Sequence, residues 1–107
     1  MKIINCTPHP ISIMLNSKVE TYEASGIIPR VETTKVFSKT INGIEFFKRE
    51  KGNVAGLPEV EEGIYYIVSG MVFDMCDRED IIAPNTDETA IRDSKGRIIA
   101  VTSFLTK

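Results

Sequence analysis

Asn42-Gly43 separates two long runs rich in β-branched and aromatic residues. A type I′ turn needs positive φ at both central positions, and Asn-Gly is the pair that supplies it most readily. Residues 30–41 and the run from Ile44 to Arg49 are therefore expected to fold back on each other as a hairpin. A second hairpin is expected from residues 11–15 and 18–24, turning at Asn16-Ser17. A third is expected where residues 90–92 and 97–104 flank Asp93-Ser94-Lys95-Gly96, with Gly96 suited to a left-handed position.

The remaining segments fit around these hairpins. Residues 2–6 form a short apolar run that Thr7-Pro8-His9-Pro10 ends, because two prolines remove two N–H donors and force an extended or turning backbone. Residues 64–68 are the most apolar stretch and are expected to form a central strand. Ser69 is a plausible N-cap for a helix over residues 70–78, with Met71, Val72, Met75 and Cys76 on one apolar face. Residues 52–56 are expected as loop or short strand, and residues 57–63 as an acidic turn. The expected fold is a single domain over residues 1–107 of mainly β (α+β) class. It consists of an antiparallel sheet of about seven or eight short strands curled around one short helix.

Charge separates the two halves of the chain. The net charge is −2, from 13 basic and 15 acidic side chains. Residues 1–53 hold eight basic and five acidic side chains and no Asp, whereas residues 54–107 hold five basic and ten acidic. Asp is disfavoured in sheets, so its absence fits a strand-rich first half. The near-neutral total argues against DNA as a partner and against a membrane surface. No apolar run approaches the ~18–20 residues of a membrane span, and the opening residues lack the apolar stretch of a signal peptide. Cys6 and Cys76 have no Cys-x-x-Cys spacing and are expected as reduced thiols in a cytoplasmic protein. One His and two Cys make a structural zinc site improbable, and no metal or cofactor is expected.

No phosphate-binding glycine loop, nucleophile elbow or zinc-protease motif occurs in the chain. His9, the sole histidine, is read as a turn residue or as a contact to a ligand or partner. A Cys6–His9 nucleophilic pair would need a ring geometry that the two-proline turn does not guarantee. Asp74, Asp77, Glu79 and Asp80 have oxygen donors but not the spacing of a calcium loop, and read as solvated surface. Arg78, Arg92 and Arg97, with Asn85, are groups able to pair with phosphate or read a base edge. Tyr65, Tyr66, Phe73 and Phe104 offer rings for stacking.

Asn5-Cys6-Thr7-Pro8-His9-Pro10 resembles the N-L-T-P-H-P opening of a group of small phage and prophage proteins. Three further blocks resemble theirs in the same order. These are Gly56-Leu57-Pro58 with Glu61-Glu62-Gly63 and Tyr66-Ile67-Val68-Ser69, then Arg78-Glu79-Asp80 through Pro84, then Arg92-Asp93-Ser94-Lys95-Gly96-Arg97-Ile98-Ile99. The pattern also resembles the Thoeris anti-defence sponge proteins of phages. That resemblance implies an oligomer that binds cyclic ADP-ribose-type signals or cyclic oligonucleotides without cleaving them. It implies ligand contacts at Phe73, Asn85, Arg92 and Arg97, to which the residue reading adds Arg78 and His9. An arginine that it implies in the last strand is absent, and Thr102 stands near that place.

The expected function is sequestration of a cyclic nucleotide-derived immune signal in the host cell cytoplasm by a non-enzymatic homo-oligomer. A chain this short is expected to need a second subunit to build a pocket of ~300 Å³ or more. The competing readings are a protein-binding module, which inhibits a host protein or assists phage assembly, and a small hydrolase using Cys6 and His9 or the acidic cluster.

Overall fold

The strongest apolar runs pair with each other although they lie far apart in the chain. In the computed structural model, which describes residues 1–107 and every side chain but that of Lys51, β1 (Lys2–Asn5) lies parallel to β6 (Ile64–Ile67). β6 lies parallel to β7 (Ile81–Pro84), and β7 pairs antiparallel with β10 (Phe104–Thr106). The resulting four-stranded sheet has the order β1-β6-β7-β10. Tyr66, Ile67, Val68, Ile81 and Ala83 are buried along its two inner strands, so residues 64–68 do supply a central strand.

The connection from β6 to β7 carries α1 (Gly70–Met75), because parallel neighbours need a crossover rather than a tight turn. Ser69 caps it, its hydroxyl accepting from the Val72 amide at 3.4 Å. The helix is shorter than the expected 70–78. It stops at Cys76, whose backbone is extended. Asp74 and Asp77 oppose the helix dipole at this end, and the last turn holds no basic residue. Beyond it, the Arg78 guanidinium grips the Asp80 carboxylate at 2.9 and 2.6 Å and donates to the Pro58 carbonyl at 2.7 Å, which directs the chain into β7. The inward face also differs from expectation. Val72, Phe73 and Cys76 pack on the core, while Met71 and Met75 are exposed.

The hairpins attach to this sheet as separate two-stranded ribbons. β2 (Ile11–Leu15) and β3 (Lys18–Tyr22) turn at Asn16-Ser17, both with positive φ. β8 (Ile91–Arg92) pairs with β9 (Ile98–Ala100). Ser12 and Met14 of β2 exchange backbone hydrogen bonds with Val101, which joins those two ribbons. β4 (Arg30–Ile41) and β5 (Ile44–Ala55) form the Asn42-Gly43 hairpin, with φ of 52° and 76° at the turn. β5 continues to Ala55, through the stretch expected as loop or short strand. Gly52 and Asn53 together oppose Glu32, and this bulge lets the strand run on to Ala55.

The fold is therefore mainly β with one short helix, as expected, but its strands are distributed over four sheets rather than one curled sheet. The sequence reading pairs consecutive runs, whereas β1, β6 and β7 pair across long excursions of the chain.

Asn5 binds the parts together. Its side chain is buried at the end of β1. Nδ2 donates to the carbonyls of His9 (2.7 Å) and Tyr22 (2.9 Å), and Oδ1 accepts from the Thr7 amide (2.9 Å) and hydroxyl (2.7 Å). Its carbonyl accepts from the Ser25 amide and hydroxyl. Loss of a buried partner leaves several groups unpaired at about 1–3 kcal/mol each. Asn5→Ala is thus expected to destabilise the fold by about 3 kcal/mol or more in urea unfolding, and a loss below about 1 kcal/mol would contradict this role.

A candidate ligand cleft between the proline turn and the helix

The Asn5 hydrogen bonds hold the 7–10 turn at a fixed height above the sheet, opposite α1. A cleft of about 440 Å³ opens between them. Val68, Ala83, Pro84 and Leu105 make an apolar floor, and Phe73 of α1 forms a wall. Thr7, His9 and Ile11 line the turn side, with Ser69, Asp74 and Thr86 as the other polar groups. The Lys107 ammonium lies 4.3 Å from the centre of the Phe73 ring, a cation–π contact. A smaller hollow of about 190 Å³ adjoins the cleft and shares Ile11, Pro84 and Thr86 with it. Its far side is residues 98–101, immediately after Arg97. One chain thus forms a cleft of ligand size by itself.

Of the residues singled out in the sequence, Phe73 and His9 meet in this cleft. Asn85 stands between two lining residues, but its amide is engaged in its own loop. Nδ2 donates to Asp87 and to the Ser103 hydroxyl, each at 3.1 Å, and Oδ1 accepts from the Asp87 amide. Arg92 and Arg97 lie on the β8–β9 ribbon, where Arg92 donates to the Gly96 carbonyl (2.8 Å) and Arg97 to Asp93 (3.0 Å). Arg78 lies away from the cleft, its guanidinium held by Asp80 and Pro58. Lys107 had no sequence signal, since nothing local ties residue 107 to residue 73.

The Cys6 thiol is buried in the core, and burial pushes its pKa up despite a hydrogen bond from Ser25 that lowers it, so it stays protonated at neutral pH. Among the described residues, no group of three or more His, Cys, Asp or Glu side chains is placed to hold a metal ion. Another hollow, of about 660 Å³, lies elsewhere, with Glu61, Glu62, Glu79 and the Arg78–Asp80 pair on its walls. Among the described residues, no helix is long and apolar enough to cross a membrane. Comparison with protein-family models, with curated proteins and with solved structures gives no match for this chain.

The turn before Arg97 is set by Asp93. Oδ1 accepts from the amides of Lys95 (2.8 Å) and Arg97 (3.0 Å), and Gly96 takes the left-handed position at φ 81°. The Arg97 amide above all, then that of Lys95 and the Arg97 side chain, hold the Asp93 carboxyl below the usual aspartate range. Opening the turn returns it to the ordinary value. The stabilisation is therefore complete above about pH 4 and is lost as pH falls through Asp93's own lower pKa. An NMR titration should show the Lys95 and Arg97 amides shifting together with a midpoint below the ordinary aspartate value. Asp93→Asn should abolish that transition, and a midpoint at or above the ordinary value would contradict the assignment.

Proposed function

We propose that this protein is a phage or prophage factor that binds and holds a cyclic nucleotide-derived immune signal, of the cyclic ADP-ribose type or a cyclic oligonucleotide, without cleaving it. The observation that carries the reading is the half-buried Phe73 ring on the wall of a cleft of about 440 Å³, with the Lys107 ammonium 4.3 Å from its centre. A base that takes the lysine's place over this ring stacks on it, and the displaced ammonium is then free to pair with a phosphate. His9 adds a second nitrogen donor at the rim. Thr7, Ser69 and Thr86 offer the few polar contacts that fix orientation in an apolar pocket.

Under this reading Arg92 and Arg97 reach only the part of a ligand that extends over the adjoining hollow. They would matter more for a cyclic trinucleotide than for a compact cyclic ADP-ribose. Asn85 shapes the loop between the two hollows. Arg78 acts through the fold. Sequestration of a host signal places the protein in the host cytoplasm and needs no nucleophile, base or metal.

Calorimetry against cyclic ADP-ribose isomers and cyclic di- and trinucleotides, with protein on the order of tens of micromolar, tests the proposal. Binding by at least one of them is expected, weakened about tenfold or more by Phe73→Ala. The ligand should be recovered intact when the complex is heat-denatured. Absence of heat with every member of the panel would overturn the reading, and a cleaved product would replace sequestration with hydrolysis.

A second reading, a module that docks on another protein, is favoured by the long exposed β4–β5 ribbon.

A further inference from the structure

The β4–β5 ribbon leaves the body of the protein as an arm. At its root Val31 and Val54 face each other and pack on the core beside α1. Beyond them β4 is exposed to its tip. The radius of gyration is 17.3 Å, against about 13 Å for a compact domain of this length. A two-stranded hairpin alone in water is marginal at best, yet this one exposes Val36, Phe37, Ile41, Ile44, Phe46 and Phe47, each between 39% and 61%.

The two faces of the arm differ. On one, Phe37 and Phe47 pack edge to face, and the Lys35 ammonium lies 4.1 Å from the Phe47 ring centre. On the other, the register and the bulge at Ser38 align Val36, Ile41, Ile44 and Phe46 with Lys39 and Lys48. Among the described residues, the ring–ring and lysine–ring contacts of the arm are on the first face, and Phe46 of the second face has neither.

Charge indicates what covers it. Residues 30–55 hold six of the thirteen basic side chains and three of the fifteen acidic ones, and the rest of the chain holds seven and twelve. The arm is net basic and the body is net acidic. The hollow of about 660 Å³ on the body combines Glu61, Glu62 and Glu79 with the apolar surfaces of Val60, Ile64 and Tyr65, residues that follow the arm's last residue, Ala55, within ten positions of the chain. A polyanion would meet repulsion from the body, whereas a second copy offers both the acid and the apolar surface.

We propose that two copies of this chain exchange arms, the Val36–Phe46 face of each lying on the acidic hollow of its partner. A two-fold pair with antiparallel arms brings each tip to the other's root and satisfies both contacts by symmetry. One face of a ribbon about 35 Å long and about 10 Å wide covers on the order of 350 Å². Reciprocal docking removes four such surfaces from water, on the order of 1,400 Å², within the range of a specific interface. The inference is independent of what the Phe73 cleft binds.

Sedimentation of the full chain with two charge-reversed variants tests it. Lys39→Glu with Lys48→Glu makes the arm acidic, and Glu61→Lys with Glu62→Lys makes the hollow basic. The unmodified protein should be a dimer at about 50 µM. Each variant alone should be monomeric with an unchanged circular dichroism spectrum. An equimolar mixture should recover a dimer, since both arm–hollow contacts are then complementary. A monomeric unmodified protein, variants that remain dimeric, or a mixture that stays monomeric would each overturn the proposal. So would retention of a monomer by single-stranded RNA through Lys39 and Lys48.

Discussion

The structure depends on one buried amide. Asn is uncommon in strands, and a buried one is tolerated only with its hydrogen bonds filled. Asn5 fills them with the carbonyls of His9 and Tyr22 and with the amide and hydroxyl of Thr7. These bonds tie the first strand of the central sheet to the proline turn and to the end of β3, and Ser25 closes the set on the Asn5 carbonyl. The two prolines limit the conformations of the turn, and Asn5 fixes where the turn stands. Without that anchor, the residues facing Phe73 would lie on a loop held only by its ends.

The core beneath is small and local. Cys6, Tyr66, Val68, Val72 and Ile81 form its buried cluster, drawn from β1's end, β6, α1 and β7. The arm contributes only its root. A chain whose central hairpin stays outside the core keeps its fold in one place and a large apolar surface in another. This separation explains how a fold of 107 residues contains both a ligand-sized cleft and an extended ribbon.

Local chemistry was legible in the sequence. Asn42-Gly43, Asn16-Ser17 and Gly96 each announce a turn through positive φ, and Ser69 announces the helix start. Long-range pairing was not legible, because β1, β6 and β7 carry similar apolar runs with no mark of direction or order. The helix end was misplaced because the Arg78–Asp80 ion pair, not helix propensity, sets where the chain turns. Residues 52–56 read as loop or short strand, and the bulge at Gly52 and Asn53 carries the strand on to Ala55. At the cleft, Phe73 and His9 could be named as single residues, but their meeting depends on Asn5. The arginines could be named by residue type, but residue type alone does not reveal that Arg78 is engaged by Asp80 and Arg97 by Asp93.

Hydrogen exchange on Asn5→Ala beside the unmodified protein tests most directly whether this one side chain holds the cleft open. Protection should fall at the Thr7 amide, which donates to the Asn5 side chain, by more than at the Tyr66 and Val68 amides of the central sheet, which report the overall loss of stability. Unchanged protection at Thr7, or a loss there no larger than at Tyr66 and Val68, would contradict the account.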